Sequence, residues 1–198
     1  MWVSSRTMSE AEDTKLALDY AYHWEQARAN EVFMTQPMGG GEIVTFTWAE
    51  VLRQARSMAA FLRSQNYEAS SQIAIVSKNT AQWIMADLAI WMAGHVSVPV
   101  YPTNTREEIR YVLEHSEAKM LFYGKLDDPA EVRAGIPEGM SGVALPLSEG
   151  SEYPTWDAIV GEHAPIEDSP RRGADEMATI VYTSGSTGRS KGAMITFG

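Results

Sequence analysis

The sequence predicts an α/β fold with a mostly parallel sheet flanked by helices. Three observations support this prediction: short apolar runs alternate with helical segments, capping signatures precede several of those segments, and one segment is apolar almost throughout. Alternation of strands with helices of about 10–15 residues is typical of a parallel sheet covered on both faces. An almost wholly apolar helix is expected to be buried.

The first part of the chain predicts one helix and a hairpin. Residues 16–29 are expected to be helical, and residues 32–35 and 43–46 to be short strands around the Pro-Met-Gly-Gly-Gly connection at 37–41. Thr47 and Glu50 form a capping-box signature that predicts a helix start. The helix that follows places apolar residues on one face at helical spacing: Val51, Leu52, Ala55, Met58, Ala59 and Leu62.

A strand–helix alternation begins after that helix. Thr105 with Glu108 forms a second capping box, and Asp128-Pro129 with Glu131 is a good helix start. The polar connection at 162–176 is expected to lie on the surface with the Arg171-Arg172 pair solvated. Strands are expected at 72–77, 96–101, 119–123, 143–147, 178–182 and 193–196, and helices at 81–93, after 105, after 128 and at 156–160.

The length and one long apolar stretch bound the domain organisation. A chain of 198 residues is enough for one domain or slightly more. We divide it into a helix-and-hairpin region at 1–42 and an α/β subdomain at 43–198. Residues 81–101 are mostly apolar, but Gly94-His95 interrupts them, so we expect a buried helix and a buried strand and not a membrane span.

Composition excludes several classes of function. The net charge of −10 argues against a nucleic-acid partner, because phosphate backbones require a basic face. Without cysteine the chain has no disulfide, thiolate metal site or cysteine nucleophile, which fits a reducing compartment. The four histidines show no ligand spacing, so we predict no protein-bound metal site. The first thirty residues show no signal-peptide pattern, and a cytoplasmic location is expected.

The most informative segment lies at 182–192, with the sequence Tyr-Thr-Ser-Gly-Ser-Thr-Gly-Arg-Ser-Lys-Gly. Eight of the ten residues at 183–192 are Gly, Ser or Thr, and the other two are Arg189 and Lys191. Such a loop offers backbone N–H groups, hydroxyls and positive charge, which is what a polyphosphate needs from a protein. Glycine also allows close approach of the backbone to an anion. Arg189 is expected to be a solvated loop charge.

Two common phosphate-loop patterns do not fit this segment. The Walker A pattern needs four residues between its first Gly and the Gly-Lys pair, and counting from Gly185 places Ser190 where Gly is required. A Walker loop should also open into a helix, whereas the residues after Lys191 predict a strand. No G-x-G-x-x-G fingerprint follows a strand either. We therefore expect a loop that joins two strands.

Residues 182–192 closely resemble the phosphate-loop signature of the adenylate-forming (AMP-binding) superfamily, Tyr-Thr-Ser-Gly-Ser/Thr-Thr-Gly-x-Pro-Lys-Gly. The chain departs from it at Ser190, where Pro is usual, and Phe197 stands where many members carry His. Thr47-Trp48-Ala49-Glu50 and Val76-Ser77-Lys78-Asn79 are similar to earlier elements of that family. Tyr101-Pro102-Thr103 resembles long-chain fatty acid–CoA ligases more than the other branches. The likeness covers roughly residues 43–198.

The resemblance implies a two-step reaction in which a carboxylate attacks the α-phosphate of ATP and the CoA thiol then displaces AMP. By position, the hydroxyls of Thr183, Ser184, Ser186 and Thr187 would donate to the phosphates, and Gly185 and Gly188 would supply backbone N–H groups. Lys191 would supply positive charge and is the candidate catalytic residue. Mg²⁺ is expected on the phosphates, since a divalent ion normally accompanies ATP.

The resemblance also implies the truncated N-terminal part of an acyl-CoA synthetase-like fold, from a longer ligase of fatty acid metabolism, and we expect the 198 residues alone to be inactive. The substrates would be ATP, a fatty acid and CoA, with peripheral membrane contact of the full-length protein left open. Three alternatives also stay open: a non-catalytic module that binds a nucleotide or pyrophosphate, an adenylate-forming enzyme for an aryl or amino acid substrate, and a P-loop NTPase.

Overall fold

The computed structural model describes residues 15–183 and 190–198. The described chain begins with α1 (Ala17–Arg28), followed by the antiparallel hairpin of β1 (Val32–Gly39) and β2 (Glu42–Thr47). Gly40 and Gly41 make the turn with positive φ angles of 60° and 89°, a conformation that glycine adopts without a steric penalty. The predicted helix and hairpin are confirmed, although β1 extends through Pro37, beyond its expected end.

The helix α2 (Trp48–Ser64) begins at the predicted capping box. The Thr47 hydroxyl accepts a hydrogen bond from the Glu50 N–H at 3.2 Å, and the Glu50 carboxylate accepts one from the Thr47 N–H at 2.7 Å. Two backbone N–H groups at the helix start are thereby satisfied. The predicted inward face is confirmed, because all six of its residues are fully buried: Val51, Leu52, Ala55, Met58, Ala59 and Leu62.

The centre of the molecule is a six-stranded sheet made of β3 (Gln72–Val76), β4 (Val96–Val100), β5 (Met120–Tyr123), β6 (Ser141–Ala144), β7 (Met177–Thr183) and β8 (Lys191–Thr196). The strand order is β6-β5-β3-β4-β7-β8. All neighbouring pairs are parallel except β7 with β8, which are antiparallel. This confirms the predicted α/β architecture with a mostly parallel sheet.

Helices cover both faces of this sheet because successive strand residues point to opposite sides. Ile73 and Ile75 of β3 belong to the apolar cluster under α1, α2 and two further helices, whereas Ala74 and Val76 belong to the cluster on the other face. The helices on the first side are completed by α3 (Ala81–Met92) and α6 (Trp156–Glu162), and those on the second side are α4 (Arg106–His115) and α5 (Pro129–Gly135).

The strand expected at 143–147 lies earlier in the chain, at Ser141–Ala144. The apolar run at 143–147 predicted a strand of that length. The strand ends before Pro146, because proline has no N–H to donate to a neighbouring strand. Leu147 adopts a positive φ of 67°, which turns the chain away from the sheet.

The expectation that Arg171 and Arg172 form a solvated pair is wrong for the second residue. Only 6% of the Arg172 side chain is exposed. Its guanidinium donates to the carbonyls of Trp91 and His95 and lies 5.2 Å from the centre of the Phe197 ring. The Glu176 carboxylate pairs with the same guanidinium, and together these acceptors offset the cost of burying a charge.

The apolar stretch at 81–101 forms two buried elements, as predicted: it divides into α3 and β4, with Gly94 between them at a φ of 88°. Across the part of the chain that the structure describes, no helix has the length and apolar character needed to cross a membrane.

Candidate functional site

Two strands present the ends of the Gly/Ser/Thr-rich segment. β7 lies beside β4 and ends at Thr183, and β8 begins at Lys191 as the antiparallel edge strand of the sheet. Thr183 pairs with Lys191, and Tyr182 pairs with Gly192. The prediction that this segment joins two strands is therefore confirmed. The strand after Lys191 counts against the P-loop NTPase alternative, which requires a helix there.

The middle of the predicted site lies outside the described residues. Ser184, Gly185, Ser186, Thr187 and Gly188 fall within 184–189, as does Arg189, and their assigned contacts stay predictions. Of the predicted site residues, the structure places Thr183 and Lys191.

Thr183 and Lys191 lie opposite each other and both side chains are exposed. Directly paired residues of an antiparallel ladder share one face of the sheet, with Cβ atoms about 4.5–5.5 Å apart. Within residues 15–183 and 190–198, no carboxylate forms an ion pair with Lys191. A hydroxyl and an ammonium group are thus available side by side to an anion.

The location of these residues in the sheet is also informative. Thr183 is the last residue of β7, which runs parallel to β4 and β3. It therefore lies at the carboxyl edge of the sheet, where β3 and β4 also end. In open α/β sheets, ligands bind in the crevice outside the carboxyl ends of the strands. An open crevice of about 540 Å³ is present at this edge, lined by Ser77, Lys78, Asn79, Trp83, Pro99, Val100, Tyr101 and Pro102.

The charged groups near this edge differ in their availability. Lys78 forms an ion pair with Asp127, so part of its charge is compensated. Among the described residues, no group of three or more His, Asp or Glu side chains could hold a metal ion. The described donors, a hydroxyl and an ammonium, fit phosphate oxygens better than a bare cation.

Contacts from α4 support both ends of the segment, and these were not predicted from the sequence. The Tyr182 hydroxyl lies 2.8 Å from Nδ1 of His115, and the Tyr111 hydroxyl donates to the carbonyl of Ser190 at 3.1 Å. The sequence signal was the spacing of Tyr111 and His115, which are four residues apart and therefore on one helix face. His115 lies in the last turn of α4.

The described residues form a mostly parallel α/β sheet with a Gly/Ser/Thr-rich connection at the carboxyl ends of its strands, where ligands of such sheets bind. The family described as "AMP-binding enzyme" matches residues 21–198, and the chain belongs to this family.

Two curated relatives illustrate the range of the family. The chain is 34% identical over 157 residues to the long-chain-fatty-acid–CoA ligase FadD15 of Mycobacterium bovis, a match that covers 76% of this chain and 26% of that protein. It is 28% identical over 152 residues to tyrocidine synthase 3 of Brevibacillus parabrevis, covering 77% of this chain and 2% of that protein. The chain thus spans about a quarter of the ligase and a small part of the synthase.

Solved structures confirm the fold. A benzoate CoA ligase from Burkholderia xenovorans LB400 superposes with a TM-score of 0.73 at 20% identity, over 93% of this chain and 35% of that one. The anthranilate CoA ligase AuaEII, in complex with anthranoyl-AMP, gives a TM-score of 0.78 at 17% identity, over 92% of this chain and 35% of that one. The described chain therefore has the architecture of acyl-CoA synthetase-like enzymes.

Proposed function

We propose that this chain carries the triphosphate-binding part of an ATP-dependent acid–thiol ligase, a long-chain fatty acid–CoA ligase. One observation carries the proposal: the two ends of the signature are paired as strands at the ligand-binding edge of a parallel sheet, with Thr183 and Lys191 exposed side by side. The signature itself and the relationship to FadD15 support it.

In the proposed reaction, a carboxylate oxygen of the fatty acid attacks the α-phosphorus of ATP. The bond from that phosphorus to the bridging oxygen breaks, and pyrophosphate leaves with the bonding electrons. The CoA sulfur, having lost its proton, then attacks the acyl carbon, and AMP leaves as its bond to that carbon breaks. Mg²⁺ bound to the nucleotide would offset part of the phosphate charge.

The proposed role of this chain is to hold the β- and γ-phosphates. Lys191 would place a positive charge near the departing pyrophosphate, where negative charge develops in the transition state. Thr183, Ser184, Ser186 and Thr187 would donate hydroxyl hydrogen bonds, and Gly185 and Gly188 would donate backbone N–H bonds. Holding the triphosphate in one position also aligns the α-phosphorus for attack.

The acyl substrate is the least constrained part of the proposal. The greater identity to a fatty acid ligase, and the Tyr101-Pro102-Thr103 element, favour a long-chain fatty acid. The relationship to tyrocidine synthase 3 favours a second candidate, an adenylate-forming enzyme for an amino acid.

The experiment is a product assay on the protein as its gene encodes it. Purified protein is incubated with MgATP, CoA and either palmitate, benzoate or an amino acid mixture, and AMP, ADP, pyrophosphate and thioester are quantified. We expect AMP, pyrophosphate and thioester in equal amounts with palmitate. AMP release with benzoate or the amino acids, and not with palmitate, would identify that carboxylate as the substrate and contradict the long-chain assignment. ADP release would contradict the proposed reaction.

A second measurement separates an enzyme from a binding module. The match to FadD15 covers only 26% of that protein, so we expect no turnover from the 198 residues alone. Calorimetric titration of the same 198 residues with MgATP is expected to show weak binding at most. Tight binding without turnover by the gene-encoded protein would favour the non-catalytic nucleotide-binding alternative.

A further inference from the structure

The helix α4 contacts β7 at the residue that precedes Thr183. Tyr182 is 5% exposed, and its hydroxyl lies 2.8 Å from Nδ1 of His115. The Tyr182 ring stands perpendicular to the rings of Tyr111 and His115, with centroid distances of 6.3 and 5.7 Å. Such edge-to-face arrangements are favourable and fix the relative orientation of the rings.

The same helix face contacts the chain just before β8. The Tyr111 hydroxyl donates to the carbonyl of Ser190, the residue that precedes Lys191, at 3.1 Å. Tyr111 and His115 are four residues apart, and their ring centroids are 5.1 Å apart. The side chains of Tyr111, His115 and Tyr182 thus contact one another. One helix face thus reaches both ends of the signature.

Gly192 completes this arrangement on β8. A Cβ atom added at Gly192 would lie 2.7 Å from Cγ2 of Ile180 and 3.3 Å from Cζ of Tyr182. The side chain of Tyr182 therefore occupies the space above its cross-strand partner. The absence of a side chain at Gly192 is what lets this ring lie between the sheet and α4.

Packing of α4 on the sheet does not by itself account for these contacts. Ile109, Val112 and Leu113 are at most 1% exposed and already bury the apolar face of α4. The Tyr111 hydroxyl and the His115 imidazole instead make directed polar contacts, and both contacts end on residues adjacent to Thr183 or Lys191.

We propose that Tyr111 and His115 are positioning residues for triphosphate binding, acting through Tyr182 and Ser190. They hold β7 and β8 in the register that places Thr183 opposite Lys191. This inference rests on the proposed function. Binding groups must be held within about 0.5 Å of their productive positions. Loss of the contacts at either strand end should therefore lower the affinity for the triphosphate.

The test compares kinetic constants of the gene-encoded protein with those of single variants. Tyr111→Phe keeps the ring and removes the bond to Ser190, and His115→Leu removes the bond to Tyr182. Each lost bond is expected to raise the KM for ATP about 3- to 10-fold, while the KM for the carboxylate stays constant. His115→Asn, which places an amide near the position of Nδ1, is expected to restore most of the affinity.

Tyr153→Phe is the matched control, because the Tyr153 hydroxyl donates to the carbonyl of Met140 at 3.2 Å, in a different part of the sheet. It is expected to leave the KM for ATP unchanged. Thermal unfolding is measured for every variant. A lowered midpoint with an unchanged KM for ATP, or equal effects of Tyr111→Phe and Tyr153→Phe on that KM, would overturn the inference alone. Failure of the unsubstituted protein to consume ATP would overturn the proposed function and the inference together.

Discussion

The guanidinium of Arg56 makes two parallel hydrogen bonds to the carboxylate of Glu25, at 2.6 and 2.7 Å. The two side chains are 14% and 21% exposed and join α2 to α1. The hydrogen bonds to Glu25 raise the pKa of Arg56, so its guanidinium stays charged. The bidentate geometry is the strong form of such a pair.

We expect Arg56→Met to lower the free energy of unfolding by about 2–3 kcal/mol, because it leaves the Glu25 carboxylate largely buried without its partner. Glu25→Gln is expected to cost less, and the double variant less than the sum of the two single changes. Urea denaturation at pH 7 measures all three.

Arg53→Met is the matched control, since Arg53 lies on the same helix and is exposed. A change within about 0.5 kcal/mol is expected there. Equal losses from Arg53→Met and Arg56→Met would mean that the ion pair contributes nothing specific.

Asp87, on the apolar helix α3, is half-buried as a residue, and its carboxyl oxygen Oδ1 is buried. Burial raises the pKa of Asp87 from 3.8 to about 6, and a hydrogen bond with Ser97 lowers it only in part. Its Oδ1 has no hydrogen-bond partner among the residues that the structure describes. The folded protein therefore holds the Asp87 proton more tightly than the unfolded chain does.

It follows that the contribution of Asp87 to stability falls as the pH rises from about 4 to about 6, and that this loss persists above that window. We expect Asp87→Asn to be nearly neutral at pH 4 and to stabilise the protein by about 2–3 kcal/mol at pH 7.5, since each pKa unit corresponds to about 1.4 kcal/mol. Urea denaturation of both proteins from pH 4 to pH 8 measures the difference.

Glu68→Gln removes an exposed carboxylate and is the control for charge alone. A stability difference between wild type and Asp87→Asn that does not change with pH would contradict the assignment of a raised pKa.

The local features of the fold could be predicted from the sequence. Thr47 with Glu50 and Thr105 with Glu108 predicted helix starts, and both capping boxes are present. Such signals depend on residues three apart, which interact wherever the helix lies in the fold. The alternation of apolar strands and helices similarly predicted the parallel sheet, because it reflects burial on both faces.

Contacts between distant segments could not be predicted in the same way. Gln36 accepts a hydrogen bond from the N–H of Ala81 at 2.9 Å and so caps α3 from the hairpin. Nothing in the residues around Gln36 distinguishes this role from that of a solvated strand residue. Arg172 is the same kind of case, since two of its acceptors are the carbonyls of Trp91 and His95, about eighty residues earlier.

The candidate site was predictable where the signature itself carries the chemistry. Thr183 and Lys191 were identified by residue type and spacing, and the structure pairs them. The support from Tyr111 and His115 was not, because it depends on the sheet order that brings α4 beneath the β7–β8 pair. Nothing in the sequence indicates that Tyr182, which is buried, contacts His115, which is exposed.

Gly192 tests the fit of Tyr182 against β8. A methyl group at position 192 would lie 2.7 Å from Cγ2 of Ile180, so Ile180 and Tyr182 must move. We expect Gly192→Ala to cost about 1–3 kcal/mol of unfolding free energy, as small-to-large changes in packed sites do. Thermal unfolding monitored by circular dichroism measures the loss.

The control for Gly192→Ala is Gly161→Ala in α6, where a methyl group would meet nothing within 4 Å. In a helix, alanine is favoured over glycine by about 0.5–1 kcal/mol, so this change is expected to be stabilising. An unchanged free energy of unfolding for Gly192→Ala would contradict this prediction. It would show that β8 shifts to accept the methyl group without loss of stability.

Lys191 is the sharpest test of the proposed chemistry. Its ammonium group is exposed and opposite Thr183, and no described carboxylate pairs with it. Lys191→Ala removes this charge without cutting a packed contact, so the unfolding midpoint should stay near that of wild type. If Lys191 stabilises the departing pyrophosphate, the rate of AMP formation should fall by about 100-fold, the usual effect of losing one donor to a developing charge.

Lys191→Arg keeps the charge in a different shape and is expected to recover part of the rate. Lys119→Ala, an exposed lysine before β5, controls for net charge. Unchanged AMP formation by Lys191→Ala would remove this residue from the site and leave the paired strands without their proposed cation.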